Sequence, residues 1–149
     1  MPSKNPANVL IAEDNMSDII LAKAALESDH VRLNLHHVRD GQEVLDFITH
    51  ERPYHDAPRP DIIFLDINMP KIGGLDVLKL IGELEEMRDI PVCMLSGSEN
   101  TKDAQQAKEF GAQHYLIKPL NYQKLAQVVD HCATLYCDKQ EEHIELYCV

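Results

Sequence analysis

An α/β fold, a doubly wound parallel sheet with helices on both faces, is what this sequence predicts, and three observations carry it. Short apolar runs alternate five times with segments of helical periodicity, the pattern of repeated strand–helix units. The central run, Ile62-Ile63-Phe64-Leu65, is apolar throughout and closed by turn signals. Such a run reads as a fully buried strand, and strands buried on both faces belong to parallel sheets. Several apolar runs also stop abruptly at chemistry-bearing residues: Glu13-Asp14, Asp66, Ser96 and Lys118. In open parallel sheets, function sits beyond the carboxyl ends of the strands.

The elements follow in order. Val9 to Ala12 forms the first strand and ends at Glu13-Asp14-Asn15. Ser17 offers an N-cap with Asp18 in the first turn, and Ile19, Ala22 and Leu26 recur at helical spacing up to Ser28-Asp29-His30. Arg32 to Val38 is a more polar strand, carrying His36 and His37, and suits a sheet edge. Arg39-Asp40-Gly41 turns the chain into a helix marked by Val44, Leu45 and Ile48. Residues 50–60 contain Pro53, Pro58 and Pro60 and form a loop. The strand ending at Asp66 comes next. Lys71 to Gly74 makes a turn, and Leu75, Leu78, Ile81 and Leu84 stripe the third helix, with Glu83, Glu85, Glu86 and Arg88 solvated.

Ile90 to Leu95 is the fourth strand, with Pro91 at its start, where a missing donor is tolerated. A polar helix spans Lys102 to Phe110, and Gly111 suits its end. His114 to Ile117 is the fifth strand, leading to Lys118-Pro119. The last helix, with Asn121 as its cap, places Leu125, Val128, Val129, Cys132, Leu135 and Tyr136 on one face. In the tail, Ile144, Leu146 and Cys148 alternate with polar or amphipathic residues, a strand period. Such a strand would pair with a sheet edge or dock on another subunit; the alternative is a loosely ordered terminus. Right-handed crossovers favour the flavodoxin-like (βα)5 arrangement with strand order 2-1-3-4-5. The whole chain, 1–149, reads as one domain with a core of about 8–136 and an extension over 137–149.

Composition narrows the function classes. The chain has 149 residues, 44% hydrophobic and 26% charged, with a formal net charge of -11. That is globular and argues against nucleic-acid binding through a general basic surface. No apolar run approaches a membrane span, and the start does not resemble a signal peptide. The four cysteines are expected as thiols in a cytoplasmic protein. Cys93 reads as a small buried hydrophobe. A zinc site from His131, Cys132, Cys137 and His143 fits no standard spacing.

Four strand ends then define the chemistry. In a parallel sheet Glu13-Asp14, Asp66, Ser96 and Lys118 emerge on one rim. Three carboxylates there would repel one another unless a hard divalent cation joined them, and magnesium takes a few carboxylates with water and phosphate oxygens. Phosphoryl transfer needs this kind of positioned positive charge and an in-line nucleophile. Asp66 is central enough to be a carboxylate nucleophile that forms an aspartyl phosphate. Lys118 supplies a second positive charge, and Ser96 can hydrogen-bond a phosphoryl oxygen.

The sequence resembles the receiver domain of two-component response regulators. The resemblance rests on Glu13-Asp14, on Leu65-Asp66-Ile67-Asn68-Met69-Pro70, on Gly74, on Ser96 and on Tyr115-Leu116-Ile117-Lys118-Pro119. It covers roughly residues 8–136. The insertion over 54–60 is similar to that of the stand-alone regulators associated with bacteriophytochromes, whose C-terminal extension serves dimer contacts. The resemblance implies that Asp66 accepts a phosphoryl group from a sensor histidine kinase, with a bacteriophytochrome as one candidate donor. It implies magnesium held by Asp14, Asp66 and the Asn68 backbone carbonyl, with Glu13 acting mostly through water. Lys118 would pair with the phosphoryl group, Ser96 would move toward it, and Tyr115 would rotate into the space vacated. The Lys118–Pro119 peptide is expected to be cis.

The implied protein catalyses only its own phosphotransfer and dephosphorylation, and relays its state to an unknown downstream protein without an output domain or direct DNA binding. The face of the fourth helix, fifth strand and fifth helix is the expected output surface, and the tail offers a homodimer contact. Gly73 before Gly74, His114, and Ser96 in place of the commoner threonine depart from the family pattern. The alternatives are weaker. A phosphorylation-independent binding module leaves the intact site unexplained. A hydrolase of the haloacid dehalogenase kind needs a general-acid aspartate where Asn68 stands. A flavin protein needs a phosphate-binding loop where Glu13-Asp14-Asn15 puts carboxylates.

Overall fold

The computed structural model describes residues 6–26, 31–130, 135–139 and 144–148. Five parallel strands form the main sheet: β1 (Asn8–Ala12), β3 (Asn34–Val38), β4 (Ile62–Asp66), β5 (Val92–Ser96) and β6 (His114–Ile117). Their spatial order is β3-β1-β4-β5-β6. Counted along the main sheet alone this is 2-1-3-4-5, the flavodoxin-like order. β1 lies between β3 and β4, with Ala12 beside Val38 on one side and Leu65 on the other.

Alternation along the strands divides the core into two layers, because successive side chains of a strand point to opposite faces. Val9, Ile11, Ile62, Phe64, Cys93 and Leu95 face one way. They pack on Ile19, Ala22 and Leu26 of α1 (Met16–Leu26) and on Leu125, Val128 and Val129 of α5 (Tyr122–Val129). Leu10, Ala12, Ile63, Leu65, Val92 and Met94 face the other way. They meet α2 (Gly41–Thr49), α3 (Gly74–Gly82) and Ala107 of α4 (Thr101–Glu109). Phe47 on α2 and Val77 on α3 are buried members of this second layer that helical spacing alone did not single out. Cys93 is fully buried, as a small hydrophobe should be. A 3-10 turn over Glu85–Met87 links α3 to β5 and buries Met87.

Local chemistry explains most boundaries. Asp40, Asn100 and Asn121 cap α2, α4 and α5 by accepting backbone N–H groups of the first turn. α1 corrects the expected cap. Asn15, not Ser17, closes it: its side chain accepts from Asp18 N at 3.0 Å and its carbonyl from Ile19 N at 3.0 Å. Asparagine caps as well as serine, and the helix begins correspondingly earlier. Residues 50–60 form neither strand nor α-helix. Within them Tyr54 packs against Phe47 of α2, the rings tilted by 51° with centroids 5.4 Å apart.

Two expectations are corrected by long-range pairing. The strand expected over Arg32–Val38 is split at Leu33. β2 (Val31–Arg32) leaves the main sheet and runs parallel to β8 (Ile144–Cys148), with Val31 beside Ile144. The last helix ends at Val129, so Leu135 and Tyr136 are not on its face. They open β7 (Leu135–Lys139), which pairs antiparallel with β8, Leu135 beside Cys148. Pairing with a strand elsewhere in the chain overrides local periodicity. The tail is thus a hairpin completing a second sheet, β2-β8-β7, and its expected strand is present. Cys132, and with it the weighed zinc set of His131, Cys132 and His143, lies outside the described residues.

Candidate functional site

The rim at the carboxyl ends of the main-sheet strands brings the anticipated residues together because the register forces it. Ala12 pairs with Leu65, so Glu13 and Asp66 leave adjacent strands side by side. Asp66 pairs with Leu95, and Ser96 with Ile117, which sets Ser96 and Lys118 next in line. Carboxylate oxygens of Glu13, Asp14 and Asp66 lie within 4.8 Å of one another. Glu13 and Asp66 are buried, at 3% and 4% exposure, while Asp14 is exposed. A buried pair under an exposed carboxylate forms a half-open cup of oxygens. That donor set suits a hard divalent cation that keeps some of its waters.

Lys118 provides the opposing charge. Its Nζ lies 2.7 Å from Glu13 Oε2, 3.0 Å from Asp18 Oδ2 and 3.1 Å from Asp66 Oδ2. Burial disfavours its charge, but hydrogen bonds to Glu13, Asp18 and Asp66 outweigh that and raise its pKa. Glu13 is pushed up to about 7, first by burial and then by its side-chain interaction with Asp66; Lys118 and the Asn15 N–H pull the other way. Three carboxylates thus face a single ammonium. The Lys118–Pro119 peptide is cis.

The loop after β4 is held close to Asp66. Asn68 N donates to Asp66 Oδ1 at 3.2 Å, and Gly74 N to the Ile67 carbonyl at 3.1 Å. A Cβ on Gly74 would press into the Asp66 carbonyl and come within 2.9 Å of Ile67 Cα, so only glycine permits this approach. Lys71, with φ of 66°, reaches Asp40 at 3.3 Å and ties the loop to the cap of α2.

Ser96 is buried at the end of β5, but its hydroxyl donates to the Ser98 carbonyl at 2.8 Å. It is thus engaged within its own loop. The Tyr115 hydroxyl is enclosed and without a hydrogen-bond partner, and its ring packs against the second core layer beside α4. Asp18 is the residue that sequence reasoning missed at this site. It read as a first-turn helix acid, and only its place in the first turn of α1, directly after the rim segment Glu13-Asp14-Asn15, hinted that it could reach the rim.

A buried carboxylate at a central strand end, flanked by two further carboxylates and a lysine on a 2-1-3-4-5 sheet, defines a class. The chain belongs to the response regulator receiver domain family, whose sequence profile matches residues 9–130. Proteins of this family signal through phosphorylation, and their receiver domains bind a divalent metal. Among its relatives is the response regulator Rcp1 of Synechocystis sp., 32% identical over 85% of this chain and 86% of Rcp1. The Mn(2+)-bound crystal structure of Rcp1 superposes with a TM-score of 0.72 at 32% identity, over 80% of this chain and 86% of that one. The phosphorylated cyanobacterial phytochrome response regulator RcpA gives 0.73 at 35% identity, over 83% and 89% of the two chains. The bacteriophytochrome response regulator RtBRR gives 0.78 at 28% identity, over 93% and 84%. Among the described residues no helix is long and apolar enough to cross a membrane.

Proposed function

We propose that the protein is a phosphorylation-switched regulator in which Asp66 accepts a phosphoryl group from the phosphohistidine of a histidine kinase, with magnesium present. One observation carries this reading: the Lys118 ammonium stands 3.1 Å from Asp66 within a cluster of three carboxylates at a buried strand end. Asp14, Asp66 and the Asn68 carbonyl would hold the cation, with Glu13 acting through water. When bound, the cation would offset the negative charge that gathers as the phosphoryl group approaches.

The chain's own residues do the rest. An Asp66 carboxylate oxygen forms a bond to phosphorus. The phosphorus–nitrogen bond of the donor breaks, and the imidazole leaves with the electron pair and takes up a proton. Lys118 donates a hydrogen bond to the transferred group. Ser96 leaves the Ser98 carbonyl to donate to a phosphoryl oxygen, and the Tyr115 hydroxyl, enclosed beside α4, takes part in the change on that face. The added negative charge biases a two-state surface of α4, β6 and α5, which an unknown downstream protein reads.

The likeness to RcpA and RtBRR supports a phytochrome-type kinase as donor. The outer face of α1 beside the rim exposes Met16, Ile20 and Leu21, an apolar surface against which a donor protein can rest. The tail hairpin provides a contact for a second copy. Incubation with magnesium and a small acyl phosphate, followed by intact-mass measurement, tests the central claim. A single phosphoryl adduct is expected, absent in Asp66→Asn. No adduct under conditions that modify another receiver would favour a phosphorylation-independent binding module.

A further inference from the structure

Asp18 has no part in the function proposed above, yet it holds Lys118. Its Oδ2 lies 3.0 Å from Nζ, and its side chain is 35% exposed. It is not among the carboxylates gathered to face a cation, which are Glu13, Asp14 and Asp66. The Lys118 ammonium has three N–H donors and no more. Three carboxylates take them: Glu13, Asp18 and Asp66. The lysine is therefore saturated before any phosphoryl group arrives.

A phosphoryl group on Asp66 brings new acceptor oxygens and roughly one further negative charge. The reaction itself turns the Asp66 carboxylate into part of the phosphorylated group and releases the N–H that it held; for a second N–H of Lys118 to reach the phosphoryl oxygens, Glu13 or Asp18 must give way. Glu13 is buried at 3% exposure and is held by Asn15 N as well as by Lys118. Asp18 sits at the edge of the pocket it lines with Glu13 and Lys118, open to solvent on its outer side. Its carboxylate can exchange the lysine for water at small cost.

Resting on the phosphoacceptor reading of Asp66, we propose that Asp18 is a positioning residue that competes with the phosphoryl group for Lys118 and thereby destabilises the phosphorylated state. Two forces act in the same direction. Asp18 draws the ammonium toward α1, and its own negative charge repels the phosphoryl group nearby. The competition is a property of charge, so a neutral side chain of the same shape abolishes it and a longer carboxylate preserves it.

The test measures affinity for beryllofluoride, a phosphoryl analogue, in the presence of magnesium. It uses 19F NMR on the full chain as wild type, Asp18→Asn, Asp18→Ser and Asp18→Glu. Both neutral variants are expected to bind about three- to tenfold more tightly than wild type, the effect of one unit charge in a partly solvated site. Asp18→Glu is expected within about twofold of wild type. The melting temperature of each metal-free protein reports any loss of folding separately. Equal or weaker binding by Asp18→Asn and Asp18→Ser overturns the inference, as does an Asp18→Glu protein that behaves like the neutral variants. Wild-type protein that binds no analogue and forms no acyl-phosphate adduct overturns the functional reading itself, and the inference with it. Wild type that does both, with unchanged Asp18 variants, overturns the inference alone.

Discussion

Glu13 concentrates the electrostatics of the site in one side chain. It is nearly enclosed, accepts from Lys118 Nζ at 2.7 Å and from Asn15 N at 3.0 Å, and lies beside Asp66. Its carboxyl is pushed from an ordinary 4.5 up to about 7, by burial first. The folded value lies above the unfolded one, so the metal-free fold favours the protonated form. That contribution to stability is complete below 4.5 and is lost as pH rises through about 7. A cation that needs the carboxylate must displace the same proton. The dissociation constant for magnesium is therefore expected to rise about tenfold between pH 8 and pH 6, with up to about one proton released per cation in the acidic half of that range. Calorimetry in two buffers of different ionisation heat measures both. Flat affinity without proton release would mean that Glu13 is already ionised before the metal arrives.

At the scale of elements, the junction between β4 and α3 does most to place the nucleophile. α3 begins at Gly74, whose missing side chain lets the helix start pack directly on the backbone of Asp66 and Ile67. Gly41 does the same for α2 against Ile72. Both helix starts are thus pressed onto one short loop, and the Lys71–Asp40 pair fastens it. Gly74→Ala forces a methyl group into backbone that cannot step aside. The expected cost is about 1–3 kcal/mol of stability, read from the urea midpoint, together with a slower Asp66 adduct. An unchanged midpoint would show that the loop yields easily. Elements were legible in the sequence to the extent that their signals are local. The apolar runs and the Asn121 cap needed only near neighbours, and α4 starts within one residue of its expected position. Asn15 lost out to Ser17 because either side chain caps well, and only the geometry of the turn chooses between them.

The whole molecule joins two sheets with different tasks. The parallel sheet buries apolar residues on both faces and carries the site at one rim. The second sheet gathers β2 and the tail hairpin, segments more than a hundred residues apart in the chain. β7 lies at its margin, with one side unpaired among the described residues, and an unpaired strand edge is a template for another chain. In the presence of the phosphoryl analogue, full-length protein is expected to sediment as a dimer and a chain ending at residue 134 as a monomer. Equal masses for the two proteins would remove the tail from the interface.

By itself the sequence determined the fold class, the strand order and the four strand ends that meet at the rim. Alternation, apolar runs and strand-end carboxylates are short-range patterns that a parallel sheet turns into one rim by register alone. The tertiary structure decided the rest: the end of α5, the transfer of β2 to the tail, the inward engagement of Ser96 and the place of Asp18. β2, the end of α5 and Asp18 depend on strands or a lysine elsewhere in the chain, and Ser96 on the closed geometry of its own loop. Ladder hydrogen bonds to β8, a closed loop at Ser98 and the ammonium of Lys118, a hundred residues beyond Asp18, leave no trace in local periodicity. A first-turn helix acid and a residue that shares the central lysine look the same until folding brings that lysine to it.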